Sequence, residues 1–117
     1  NQLLVDGTTI TGLIDLDSAG AGDRLDDLAC LLAHLSVLAH TTDRHRASRI
    51  NAVGKQYLAA FERATDPRDL RYRVAAVVVS LAPGPHRVQH PHWPETTVRL
   101  VDLAERWLEA ARRARRR

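Results

Sequence analysis

Two short apolar runs open the chain, and a turn signal separates them. Residues 2–5 are mostly apolar, Asp6-Gly7 follows, and residues 9–14 are again apolar and β-branched. Glycine adopts a positive φ without steric cost, so an Asp-Gly pair between two such runs predicts a β-hairpin.

The register of this hairpin would bring two polar residues to the same end of the sheet. If Val5 is the last residue before the loop, it faces Ile10. If the two strands then pair residue by residue without an irregularity, Asn1 lies opposite Ile14, beside Asp15.

Four later stretches place apolar residues at helical spacing. They cover residues 25–39, 43–64, 66–81 and a last stretch that starts at residue 94 or 95 and runs into the arginine-rich end. Asp66 and Pro67 suit the N-cap and first-turn positions of the third helix, which should be largely buried. Residues 82–85 (Ala-Pro-Gly-Pro) end it, and residues 86–94 are expected to form an irregular loop.

The second helix has an apolar stripe and one glycine in its interior. The stripe consists of Ile50, Val53, Tyr57, Leu58 and Phe61. A glycine in a helix costs ~1 kcal/mol relative to alanine, so Gly54 indicates a close contact with a neighbouring helix.

These elements predict an α+β fold that is mainly α, with a short N-terminal β-hairpin followed by about four helices. At 117 residues the chain is one domain at most, and its 44% hydrophobic content is sufficient for a core. No apolar run reaches the ~18 residues of a membrane span, and residues 1–5, Asn-Gln-Leu-Leu-Val, lack the basic segment of a signal peptide. The chain has no methionine and starts abruptly at a predicted strand, which suggests a fragment.

The single cysteine and the charge distribution narrow the class of protein further. Cys30 cannot form an internal disulfide, which suits a reducing, cytoplasmic compartment, and its place in an apolar helix predicts a buried, inert thiol. Five arginines lie within the last six positions, and without them the net charge of +3 becomes −2. A nucleic-acid-binding protein usually carries its basic face on the folded body, so this distribution argues against nucleic acid as a partner.

The stretch from residue 13 to residue 29 carries the candidate chemistry. Asp15 and Asp17 follow the second strand, and Asp23, Asp26 and Asp27 open the first helix. Carboxylates gathered at such a point repel one another unless a cation lies among them, and hard oxygen ligands suit Mg²⁺. The amide of Asn1 would complete such a site with Asp15. The structural alternative is that the acids cap the helix and interact with its dipole, and this alternative is strongest for Asp27.

These residues resemble the second half of the signature of the aminoglycoside phosphotransferase family, kinase-like enzymes related to choline kinases. The resemblance covers residues 1 to about 32 and rests on Asn1-Gln-Leu-Leu-Val-Asp-Gly, Leu13-Ile-Asp-Leu-Asp17 and Gly22-Asp-Arg-Leu-Asp-Asp-Leu-Ala29. In the family, a His-Gly-Asp-x-His-x-x-Asn loop is followed by a hairpin. An Ile-Asp-Trp-Asp/Glu element and Gly-Asp-Pro-x-x-Asp-Leu-Ala come next. Leu16 and Arg24 depart from the usual tryptophan and proline.

The resemblance implies a role for each acidic residue. Asn1 and Asp15 would hold Mg²⁺, with ATP or another nucleoside triphosphate as the phosphoryl donor. Asp17 would support the metal site, and Asp23 and Asp27 would brace it, Asp27 by tying the helix to the catalytic loop. The acceptor would be a hydroxyl of a small molecule.

The resemblance also implies that this chain is the helical, C-terminal part of the domain. The catalytic base, the ATP-binding lysine and the phosphate loop of the family all lie upstream of the position of Asn1. Phosphoryl transfer depends on positioning and charge neutralisation, so residues 1–117 alone should be inactive and need the missing N-terminal lobe.

Two other functions remain open from the same residues. Asp15-Leu-Asp17 also resembles the Asp-x-Asp motif of haloacid-dehalogenase-type phosphohydrolases, a fold that needs further parallel strands and a lysine near the acids. A non-catalytic helical interaction domain, in which the acids only cap helices, is the second alternative.

The histidine-rich segment 86–94 carries the remaining candidates. His86, His90 and His92 have a spacing that occurs in zinc sites, but no cysteine or acid completes a tetrahedral set of ligands, so ordinary loop histidines are favoured. The resemblance suggests instead that four residues of this segment line the acceptor pocket: Arg87, Gln89, His90 and Trp93. His34 and His40, in the first helix, are expected to pack or to contact carbonyl groups.

Overall fold

The computed structural model describes residues 3–14 and 19–115. Within them, a two-stranded antiparallel hairpin is followed by four long helices and one short helical turn. The elements are β1 (Leu3–Asp6), β2 (Thr9–Leu13), α1 (Arg24–Thr41), α2 (Arg44–Ala64), α3 (Pro67–Leu81), α4 (Gly84–Arg87) and α5 (Trp93–Arg113). The predicted α+β, mainly α fold is confirmed.

The hairpin forms at the predicted turn, and its register changes within it. Gly7 adopts φ +58°, a left-handed conformation that glycine tolerates. Val5 pairs with Ile10 as predicted, but Asp6 also pairs with Thr9, so the loop consists of residues 7–8 and Val5 is not the last residue before it. A bulge between Leu4 and Val5 shifts the pairing, so that Leu4 faces Gly12. The regular pairing predicted from the sequence is therefore wrong beyond Val5, because one strand carries an extra residue.

Aspartates cap the starts of α2 and α3. Asp43 accepts a hydrogen bond from the amide of Arg46 at 3.0 Å and starts α2. Asp66 accepts from the amides of Arg68 and Asp69 at 2.8 and 3.1 Å, and Pro67 follows in the first turn, as predicted. Each cap satisfies amides that have no partner inside the helix.

The core lies where α3 packs between α1 and α5. Leu70, Val74 and Val78 of α3 are fully buried, as are Leu32 of α1 and Leu100 of α5, each with at most 2% of its surface exposed. Small residues lie beside them at Ala29, Ala33 and Ala104 and allow the helices to approach closely. The third helix thus lies at the centre of the core, although it is less buried than expected, with Leu70, Val74, Ala75 and Val78 the buried ones among its 15 residues.

Two expectations about α1 and α2 are wrong. Cys30 is exposed, because Ala29 and Ala33 face the core and Cys30 lies about 100° around the helix from Ala29. Gly54 makes no close helix contact, since a Cβ placed there would meet no atom within 4 Å. None of the 21 residues of α2 is buried, and Val53 and Tyr57 are each 43% exposed.

The segment after α3 is more regular than predicted. Residues 84–87 form the helical turn α4, and α5 begins at Trp93 with His92 as its N-cap residue, slightly earlier than expected. Prolines are compatible with both starts, because the amide that proline lacks has no helical partner in the first turn.

The hairpin is apolar but scarcely packed. The exposed fractions of Leu3, Leu4, Val5, Ile10 and Leu13 range from 49% to 61%. The hairpin makes no extended contact with any helix in the described part of the chain. No helix among the described residues is long and apolar enough to cross a membrane.

Candidate functional site

The predicted metal ligands lie outside the part of the chain that the structure describes. Asn1, Asp15 and the supporting Asp17 belong to the segments 1–2 and 15–18. The structure describes what precedes and follows the second of these segments: β2 ends at Leu13, and α1 starts at Arg24. The order of a strand, an acidic segment and a helix is therefore present in this chain.

Asp23 is the N-cap of α1. Its backbone is extended, with φ −82° and ψ 115°, and its Oδ1 accepts a hydrogen bond from the amide of Leu25 at 2.9 Å. Its carbonyl accepts from the amide of Asp26 at 2.9 Å. The residue predicted to brace a metal site thus has a structural role of its own, because it satisfies amides at the helix start.

The second oxygen of Asp23 belongs to an ion-pair cluster around Arg73 of α3. The guanidinium lies 2.8 Å from Asp23 Oδ2, 2.6 Å from Asp26 Oδ1 and 3.4 Å from Asp69 Oδ2. We call these four residues the Arg73 cluster. It joins the start of α1 to the first turns of α3.

The electrostatics of the Arg73 cluster are those of one cation among three anions. The hydrogen bond that Arg73 donates to Asp26 contributes most, followed by those that it donates to Asp69, and together they raise the pKa of Arg73 further above its already high usual range. Arg73 therefore stays charged at every physiological pH. It offsets part of the repulsion that the acids at the start of α1 would otherwise experience.

Asp27, the other predicted bracing residue, lies outside this cluster. It is exposed in the first turn of α1, and its side chain has no hydrogen bond or ion pair with the rest of the described chain. Asp23 and Asp26 are therefore tied to α3, whereas the carboxylate of Asp27 is left available to a group outside the described residues.

Arg73 was not singled out from the sequence. Its position four residues after Asp69 is a sequence signal that predicts an ion pair within α3. Its contacts with Asp23 and Asp26, however, span 50 and 47 positions and exist only because α1 packs against α3.

The histidine-rich segment is held by contacts within itself. His86 packs edge-on against Trp93, with ring centroids 4.6 Å apart, and His90 Nδ1 accepts from the amide of His92 at 3.2 Å. Gln89 has φ +50° and donates a side-chain hydrogen bond to the carbonyl of His86 at 2.8 Å. Among residues 3–14 and 19–115, no three His, Cys, Asp or Glu residues are grouped as metal ligands.

A cavity of about 340 Å³ lies between this segment, the end of α1 and α5. Its polar walls include His40, His90 and Arg99. Of the four residues predicted to line an acceptor pocket, only His90 reaches it; Arg87, Gln89 and Trp93 do not line this cavity.

The two histidines of α1 contact carbonyl groups, as expected. His34 Nδ1 lies 2.9 Å from the carbonyl of Cys30 and 3.5 Å from its Sγ. His40 Nδ1 lies 2.9 Å from the carbonyl of Ser36, and its Nε2 lies 2.9 Å from a nitrogen of Arg106. A carbonyl can only accept, so His40 carries its proton on Nδ1 and accepts from Arg106 on Nε2.

Comparisons of this chain with protein-family models, with curated proteins and with solved structures found no match.

Proposed function

We propose that this chain is the helical, C-terminal part of a kinase-like phosphotransferase that transfers the γ-phosphoryl group of ATP, or of another nucleoside triphosphate, to a hydroxyl of a small molecule in the cytoplasm. One observation carries the proposal: a hairpin leads through the acidic segment 15–17 into a helix that Asp23 caps. The family that this sequence resembles has the same order.

The donor chemistry of the proposed metal site fits Mg²⁺. Asn1 offers an amide oxygen and Asp15 a carboxylate, both hard ligands that leave positions open for phosphate oxygens. When bound, Mg²⁺ would neutralise the charge of the triphosphate. Asp17 would support these ligands, and Asp27 would tie α1 to the catalytic loop of the upstream lobe.

The Arg73 cluster supports this function by holding the start of α1 in place. Asp23 and Asp26 bind Arg73, so the start of α1, which follows the acidic segment in the sequence, is tied to α3 in the core. A site for phosphoryl transfer depends on such positioning, because most of its rate comes from orientation and charge neutralisation.

The exposed hairpin agrees with a missing lobe. Its pairs Leu3–Leu13 and Val5–Ile10 are apolar, and these four residues are about half exposed or more. A two-stranded hairpin of this kind is marginal in water and needs a further layer of protein to cover it. In the proposed protein, the catalytic loop and the upstream lobe would provide this layer.

The test is Mg²⁺-dependent binding of a fluorescent ATP analogue to the full-length protein. We expect Asp15→Asn to weaken this binding by at least about tenfold, because a metal ligand loses its charge. Asp6→Asn is the matched control, the same chemical change at the turn of the hairpin, and this variant should bind as the wild type does. Nucleotide binding that survives in Asp15→Asn would refute the proposal.

A search for a phosphoenzyme and a second variant separate the alternatives. A phosphohydrolase that uses Asp15 as its nucleophile would form an aspartyl phosphate that hydroxylamine cleaves, whereas the phosphotransferase would form none. The phosphohydrolase fold needs further parallel strands and a lysine near the acids. Among the described residues, the only strands are the two of the hairpin, and Lys55 lies on α2. An interaction domain would show a change in stability on Asp15→Ala without any change in Mg²⁺–nucleotide binding.

Sequencing the coding DNA upstream of the Asn1 codon gives an independent result. The proposal requires His-Gly-Asp-x-His-x-x in frame at that place. A start codon or an unrelated linker there would overturn it.

A further inference from the structure

A cleft lies between α2 and α5, on the side of the domain formed by α1, α2 and α5. Two adjoining cavities of about 110 and 370 Å³ lie there and share Ser36, Asn51, Leu58 and Trp107 as lining residues. We call the two cavities together the α2–α5 cleft.

The cleft exists because of how the helices pack. α2 packs along α1 and touches α3, but it makes no extended contact with α5. Gly54 lies on the wall, and the absence of its side chain leaves open space there, with no atom within 4 Å of where a Cβ would be. The floor is apolar, formed by Leu32, Leu58 and Trp107.

The charged side chains that line the cleft are all cations. Lys55, Arg71 and Arg106 line it, together with His40, and no aspartate or glutamate does. Arg71 is already paired, since it binds Glu62 at 2.6 Å and the carbonyl of Ala110 at 3.1 Å. Within the described chain, Lys55 and Arg106 have no carboxylate partner.

Arg106 is held at the rim of the cleft. Because His40 is protonated on Nδ1, its Nε2 accepts a hydrogen bond from Arg106 and fixes one side of the guanidinium. The remaining N–H groups of Arg106 make no other hydrogen bond in the described chain. A guanidinium that is oriented in this way and unpaired is suited to an anionic oxygen.

We propose that the α2–α5 cleft binds an amphipathic organic anion, a molecule with a flat apolar body and one carboxylate, sulfonate or phosphate group. The body would lie on Trp107 and Leu58, and the acidic group would bind Arg106, with Lys55 adding to the positive field. The volume of the larger cavity, about 370 Å³, falls within the range of small-molecule sites. The charge of the lining residues excludes a cationic ligand.

The test compares two probes with the same aromatic body in the full-length protein, with EDTA present and no nucleotide. One is 8-anilinonaphthalene-1-sulfonate, and the other is the uncharged N-phenyl-1-naphthylamine. We expect saturable fluorescence enhancement, with the sulfonate binding about tenfold more tightly at low salt and losing this advantage as salt rises. Equal affinity for the two probes, or no binding of either, would overturn the proposal.

Three variants locate the binding. Arg106→Gln should weaken sulfonate binding by about tenfold and leave the neutral probe unchanged. Arg112→Gln removes the same charge from α5, lines no part of the cleft and should change neither. Gly54→Leu fills the cleft without lowering helix propensity and should weaken both probes.

Thermal unfolding of each variant without probe excludes loss of structure as the cause of a difference. Sulfonate affinity that is equally low in Arg106→Gln and Arg112→Gln would show that only net charge matters. Unchanged affinity in Gly54→Leu would show that the probes bind elsewhere. Either result contradicts the proposed site, and neither bears on Mg²⁺ or Asp15.

Discussion

Replacement of Asp23 separates its role as a helix cap from its charge. Asp23→Ala removes both the acceptor for the amide of Leu25 and one carboxylate of the Arg73 cluster. Asp23→Asn keeps a good N-cap acceptor and removes only the charge. The two variants therefore differ by the cap alone.

The expected magnitudes follow from the geometry. Loss of the cap costs ~1 kcal/mol, which for a domain of this size lowers the Tm by about 4 °C. The loss of charge should cost less, because the side chain of Asp23 is 51% exposed and Arg73 keeps Asp26 and Asp69 as partners. Asp23→Asn should therefore lie much closer to the wild type than Asp23→Ala.

The assay is urea and thermal unfolding at neutral pH, at low and high salt. Asp43 provides the matched control, since it caps α2 with similar exposure and its ion pair, with Arg46, stays within one helix. Asp43→Asn should leave the salt dependence of the wild type almost unchanged, because the ion pair that it removes is exposed, whereas Asp23→Asn should remove part of that salt dependence. Equal destabilisation by Asp23→Asn and Asp23→Ala would refute the assignment of Asp23 as a cap.

Two further predictions concern the core and the exposed thiol. Leu70→Ala should destabilise the domain by about 3 kcal/mol in urea unfolding, because Leu70 is 0% exposed in the central helix. The control is Val79→Ala, on the same helix but 54% exposed, which should change the free energy of unfolding by less than about 0.5 kcal/mol. Similar losses in the two variants would contradict the assigned core. Cys30 should react with a thiol reagent such as 5,5′-dithiobis(2-nitrobenzoate) without prior unfolding, and protection that ends only in urea would show that the thiol is buried.

The sequence alone determined the elements whose causes are local. The turn at Asp6-Gly7 and the starts of α2 and α3 at Asp43 and Asp66 were predictable, because turn and cap preferences act within a few residues. The pairing of Val5 with Ile10 followed from the position of the turn. The chemistry assigned to Asn1 and Asp15 rests on sequence in the same way and stays a prediction.

The predictions were wrong where the outcome depended on which face of a helix or strand packs against a neighbouring element. The apolar pattern of α1 did not show that Cys30 lies outside the contact with α3, because residues one position apart differ by about 100° around the helix. The bulge between Leu4 and Val5 could not be predicted either, since an extra residue in one strand changes no local preference for strand or turn.

Tertiary structure alone decided two features on which the proposals rest. The Arg73 cluster joins residues up to 50 positions apart. The α2–α5 cleft is a gap that exists because α2 packs along α1 and makes no extended contact with α5. Both depend on how far apart the helices lie and how they are rotated. The packing of the whole core sets these quantities, and no pattern within a single helix encodes them.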